Sequence, residues 1–200
     1  MATYWLLKSL LSTTDTQKVI SLDYHRELIK LFPSILEKYS EFKDMNIINF
    51  YSGKDFFGDE EVTTIAEFIR SNSKFTSLKI THPTFFIIKF DLRALVEALK
   101  VSTQLTKLKF YKGELSQKME SQIEVLLTQN RDIAELRQYV VDLHIETTPG
   151  FPLDIVKLLV DKTIVANIKG GQTKEATKKA VDEMLITAGI KPLEEDTKIT

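Results

Sequence analysis

One short pattern, apolar-x-x-apolar-x-apolar, recurs along this chain at nearly constant spacing, and that recurrence restricts the available folds more than any other feature. Its clearest copies are Phe75-Thr-Ser-Leu78-Lys-Ile80 and Leu105-Thr-Lys-Leu108-Lys-Phe110, and Ile133-Ala-Glu-Leu136-Arg-Gln138 follows with a polar third position. Two earlier segments fit the same template, Val19-Ile-Ser-Leu22-Asp-Tyr24 and Met45-Asn-Ile-Ile48-Asn-Phe50. The central positions Leu22, Ile48, Leu78, Leu108 and Leu136 are 26, 30, 30 and 28 residues apart. The spacing predicts one supersecondary unit per step, with the template segment as a strand.

Between the template segments the period changes. Phe32, Ile35 and Tyr39, then Val62, Ile65 and Ile69, then Leu92, Leu95 and Leu99, keep apolar residues at zero, three and seven, which lines one face of a helix. Ile123 and Leu127 continue the series, with Glu120 in place of its first member. Asp59, Asp91 and Ser116 stand where they would accept hydrogen bonds from unpaired first-turn amides, and Asn72 and Asn130 fall where the helices are expected to end.

Strands stack about 4.8 Å apart whereas helix axes need about 8–10 Å, so a stack of such units must curve. The expected fold class is therefore α/β: a right-handed solenoid, or horseshoe, with parallel strands on the concave face and helices on the convex face. The template segments and their helical spacers resemble leucine-rich repeats of the long, ribonuclease-inhibitor-like kind. In that family an Asn or Cys usually follows three residues after the third apolar position. Here those places hold Glu27, Gly53, Pro83 and Gly113, which marks the repeats as degenerate. The resemblance implies a scaffold that binds other proteins.

The expected organisation is an N-terminal cap over residues 1–16, repeat-like units over 17–138, and an insertion, a possible last repeat and a capping helix over 139–200. Tyr139 to Thr147 alternates in the manner of a strand before the Pro149-Gly150-Phe151-Pro152 turn, and Val165-Ala-Asn-Ile168 offers a sixth template. Thr173 can cap a helix from Lys174 to about Ala188, which Gly189 and Pro192 would end.

Chemistry-bearing motifs are sparse. The chain has no cysteine, which removes disulfides and thiolate catalysis. His25, His82 and His144 show no ligand spacing, and neither Gly53-Lys54 nor Lys169-Gly170-Gly171-Gln172-Thr173 completes a phosphate-binding fingerprint. No catalytic residue, metal site or cofactor is expected. Asp142, His144 and Glu146 would share one strand face, an arrangement that a solvated edge explains without catalysis. The apolar runs Phe56-Phe57 and Phe85-Phe86-Ile87-Ile88 with Phe90 are expected in the core.

With 27 Lys and Arg against 28 Asp and Glu, no overall field draws the chain to nucleic acid or to an anionic membrane. Tyr4 to Leu11 is too short to span a bilayer, and it lacks the basic leader of a secretion signal, so a cytoplasmic protein without a membrane segment is expected. Recognition must then be local. Residues flanking the central apolar position of each strand should point out of the concave sheet, and the expected binding residues among them are Asp23, His25, Asn49, Tyr51, Lys79, Lys107, Lys109, Tyr111, Arg137 and Tyr139. Lys79, Lys109 and Arg137 would form a basic stripe beside an aromatic one. That surface suits a protein or peptide partner, with nucleic acid bound through the same stripe as the alternative.

Overall fold

The computed structural model describes residues 11–14, 19–23, 44–48, 59–71, 75–81, 92–110, 117–143 and 153–190. The chain divides into two compact units, Met1–Asn130 and Arg131–Thr200.

In the first unit, β1 (Leu11–Thr14), β2 (Val19–Asp23), β3 (Asp44–Ile48), β4 (Ser77–Thr81) and β5 (Lys107–Phe110) form one sheet in that order. β1 runs antiparallel to β2, and each later neighbour is parallel. Helices α1 (Asp59–Ser71) and α2 (Arg93–Val101) precede β4 and β5. They are built alike: α1 buries Val62, Ile65, Ala66, Phe68 and Ile69, and α2 buries Leu92 at its N-cap and then Leu95, Val96, Ala98 and Leu99, the same positions thirty residues on. This apolar stripe packs into one core with Phe75, Leu78, Leu105, Ile123 and Leu127. The Phe68 and Phe75 rings meet edge to face, 5.4 Å between centroids. Each fully buried Ile or Leu stabilises the unit by about 1.5–3 kcal/mol.

The thirty-residue offset is also written in hydrogen bonds. Thr76 O accepts from Thr106 N, Lys107 N and Thr106 Oγ1 at 2.9, 3.1 and 3.0 Å, which sets the register of β5 on β4.

The horseshoe expectation is nevertheless overturned. Where side chains as well as backbone are described, the chain is 78% helical and its parallel sheet has only two strands, β4 and β5. The segment expected as a fifth template strand, Ile133 to Gln138, lies inside a 26-residue helix, α3 (Gln117–Asp142). The reason is the polar third position of that template. Ile133, Leu136 and Leu143 are buried and Val140 packs against the same core, a helical series at zero, three, seven and ten, whereas Gln138 is exposed. Apolar-x-x-apolar suits either structure, and only the next alternating apolar residue makes it a strand. Asn130 therefore ends no helix. It is fully buried, and its Nδ2 donates to Leu105 O at 2.8 Å, holding the chain where it enters β5.

The register differs from the template alignment as well. Leu78 faces Leu108 as aligned, but its partner on β3 is Met45, and Ile48 faces Thr81. Leu22 faces Ile47.

The second unit is helical throughout its described length. After the end of α3, α4 (Leu153–Lys169) and α5 (Lys174–Thr187) surround a separate core of Ile133, Leu136, Leu143, Val156, Val160, Ile164, Ile168, Val181, Leu185 and Ile190. The expected strand at residue 139 is thus helix up to Asp142, and the expected sixth template, Val165 to Ile168, is the C-terminal part of α4. Val156, Val160, Ile164 and Ile168 repeat every four residues, which keeps a narrow apolar row along one face of α4.

Both α4 and α5 stop at a left-handed glycine. Gly171 (φ 89°) lets Gln172 N reach Asn167 O and Gly171 N reach Ile168 O; Gly189 (φ 77°) does the same for Ile190 N to Leu185 O and Gly189 N to Ile186 O. Thr173 begins α5 as expected, its Oγ1 accepting from Ala176 N at 3.2 Å. The N-cap of α2 is Leu92, with no side-chain bond. Among the described residues no helix is long and apolar enough to cross a membrane.

Candidate functional site

Alternation along β4 and β5 sorts their side chains cleanly. Leu78 is buried and Leu108 packs against the core, while Lys79, Lys107 and Lys109 are exposed and Ser77 is half-buried. Leu-Lys alternation thus places apolar residues under the helices and lysines on the opposite surface. Lys79 on β4 is the register partner of Lys109 on β5, and Ser77 that of Lys107. The cross-strand row through the two lysines continues to Asn46, Ser21 and Ser12; the row through Lys107 and Ser77 continues to Asp44, Val19 and Thr14.

Adjacent strands are about 4.8 Å apart, so Lys79 and Lys109 bring two like charges into direct cross-strand neighbourhood. Such a pair opposes strand pairing by a few tenths of a kcal/mol. An anionic group seated between them removes that cost. Lys107, two residues before Lys109 on the same surface, extends the positive region along β5.

The ten sequence-expected binding residues divide sharply. Lys79, Lys107 and Lys109 are together. Asp23 ends β2, in a row with Ile48 and Thr81. His25, Asn49, Tyr51 and Tyr111 lie outside the described residues, as do the phenylalanine runs at residues 56–57 and 85–90, His82, His144 and Glu146.

Arg137 and Tyr139 belong to α3, in the second unit, and do not extend the lysine surface as strand residues. Arg137 grips Asp161 of α4 with two bonds, Nε to Oδ1 at 2.6 Å and Nη2 to Oδ2 at 3.2 Å. Tyr139 donates its hydroxyl to Asp182 Oδ1 of α5 at 2.7 Å, and Lys178 Nζ sits 4.3 Å from the centroid of its ring. Both side chains hold a three-helix packing together. Asp142, expected on a strand face with His144 and Glu146, is on α3, where it accepts from Gln138 Nε2 at 2.7 Å.

Perturbed ionisation is confined to the second unit among the described residues. Burial lowers the Lys169 ammonium at the end of α4 to about 8. Lys174, which donates to Glu135 Oε2 at 2.7 Å, is raised by that bond, and Asp132 on the same side of α3 is raised first by burial. These groups do not form a metal site: no cluster of three His, Asp or Glu side chains occurs among the described residues.

Sequence reasoning missed a cleft between α3 and α4, lined by Arg137, Val140, Val141, Lys157, Val160, Asp161 and Ile164. The helical spacing of Ile133, Leu136, Val140 and Leu143 was the available signal, hidden by the strand template laid over it.

Compared with known proteins, the chain matches no family model, no curated protein and no solved structure.

Proposed function

We propose that the chain is a non-catalytic recognition module whose lysine-bearing sheet surface takes an acidic protein segment. One observation carries this reading: Lys79 and Lys109 are register partners on adjacent strands, both exposed, with Lys107 beside them and Leu78 and Leu108 of the same strands committed to the core. A rigid sheet fixes the spacing of the charges, so carboxylates at alternate positions of an extended segment, or on one face of a helix, meet them without reordering the module. A chain without cysteine suits action in the reducing cytoplasm.

Nucleic acid is the weaker partner. The basic and aromatic stripe that would bind it required Arg137 and Tyr139 next to the lysines, and these residues are engaged with Asp161 and Asp182.

The test uses a fluorescein-labelled octaglutamate peptide and a labelled single-stranded oligonucleotide of equal charge, followed by anisotropy. The peptide should bind the unaltered protein more tightly than the oligonucleotide, with affinity falling as salt is raised. Lys79→Glu with Lys109→Glu should weaken the peptide by at least about fourfold, since two contacts of roughly 0.2–1 kcal/mol become repulsions of similar size. Equal binding by this double variant, or preference for the oligonucleotide, contradicts the reading.

A further inference from the structure

We infer that the cleft between α3 and α4 is a second binding site, separate from the lysine surface, for a small amphipathic carboxylate: an unbranched acyl chain carrying one anionic end. The cleft is open to solvent and has a volume of about 500 Å³, within the range of small-molecule sites. Val140 and the exposed Val141 of α3 supply its accessible aliphatic surface, over a floor of Val160 and Ile164 of α4 that is itself buried in the core. Val141 is 68% exposed, which a packed helix pair does not require, because Leu136 and Leu143 on α3 already fill the core.

Polarity is restricted to three lining side chains. Arg137 and Asp161 are clamped together by two hydrogen bonds, which fixes the guanidinium and satisfies the carboxylate. Lys157, one turn before Asp161 on α4, is exposed and leaves one positive charge in excess. Aliphatic walls and a net positive edge match a ligand with one apolar body and one negative end. A cation would meet Lys157, and a neutral hydrocarbon would leave its charge unused. A carboxylate beside Lys157 with the chain laid along the valines uses both features.

The probes are hexanoate, octanoate and decanoate, with octan-1-ol as the uncharged comparison, titrated into the full chain by calorimetry and by amide and methyl NMR. Octanoate should bind at one equivalent and shift the signals of Val140, Val141, Lys157, Val160 and Ile164. Affinity should rise by up to about fourfold per added methylene as apolar area is covered. Lys157→Gln, at an exposed position, should weaken octanoate by about two- to fivefold and leave octan-1-ol unchanged. Val141→Asp should weaken every member of the series. Far-ultraviolet circular dichroism of both variants should match the unaltered chain, as expected for exposed sites. Absence of saturable binding, shifts centred on other residues, affinity independent of chain length, or equal loss of acid and alcohol in Lys157→Gln would each overturn the assignment. These outcomes are read on the second unit and do not depend on Lys79 or Lys109.

Discussion

Replacing Asn130 with alanine should destabilise the first unit out of proportion to the size of the change. The side chain is fully buried and its Nδ2 donates at 2.8 Å to Leu105 O, the carbonyl at the entry to β5. Truncation removes the donor and leaves the Leu105 carbonyl unpaired in a buried site, which costs about 1–3 kcal/mol. The lost side-chain volume in a close-packed core adds about 1 kcal/mol more. A total of about 2–4 kcal/mol corresponds to a Tm lower by roughly 5–12 °C for a chain of this size. The assay is thermal unfolding followed by circular dichroism at 222 nm, with Thr128→Ala as the comparison, because Thr128 lies half a turn away on the exposed side of α3 and donates through Oγ1 to Glu124 O within its own helix turn. Asn130→Leu fills the space that alanine would leave empty and still orphans the carbonyl, so it should retain most of the loss. If Asn130→Ala shifted Tm no more than Thr128→Ala, the assignment of Asn130 as the anchor of the β5 entry would be wrong.

Thr173→Ala should cost about 1 kcal/mol through loss of the cap on α5, read as a lower urea midpoint with unchanged slope. Lys169 gives a pH dependence of defined sign: its ammonium is lowered from 10.5 to about 8 in the folded chain, so between those values the unfolded state holds the extra proton and stability should rise as pH increases. That gain should be absent from Lys169→Met, compared by urea unfolding at pH 7.5 and 10; a slope that persists in the variant would assign it to another group. Arg137→Ala removes both bonds to Asp161, whose side chain is 44% exposed, and screening by solvent holds the expected loss to about 1 kcal/mol. A larger loss in chemical denaturation would show that the pair is more deeply shielded than its exposure indicates.

Much of the first unit was legible because its apolar residues satisfy one period at a time. Val62, Ile65 and Ile69 fit only a helix, and Phe75, Leu78 and Ile80 fit a strand through their last pair. The lysine surface was legible for the same reason, since alternation around Leu78 and Leu108 fixes where Lys79, Lys107 and Lys109 must point. What failed was extrapolation. Ile133 and Leu136 continue the spacing of the template, but residues on both sides of them complete a helix, and in a helix Arg137 and Tyr139 reach Asp161 and Asp182 and leave the row of lysines. The register slip at β3 has a related origin: Met45, Ile47 and Ile48 are all apolar, so the sequence offered two alternating sets, and pairing to Leu78 selected the one containing Met45. The cleft is invisible as long as the part of α3 from Ile133 onward is read as strand.

The end of the repeat at β5 decides both the extent of the lysine surface and the existence of the helical unit, and backbone NMR over residues 131–142 tests it directly. Continuous downfield Cα shifts with sequential amide-amide contacts from Arg131 to Asp142 are the result expected for one uninterrupted helix. Upfield Cα shifts over Ile133–Gln138, with cross-strand contacts from Leu136 to Leu108, would restore a sixth strand and contradict the account.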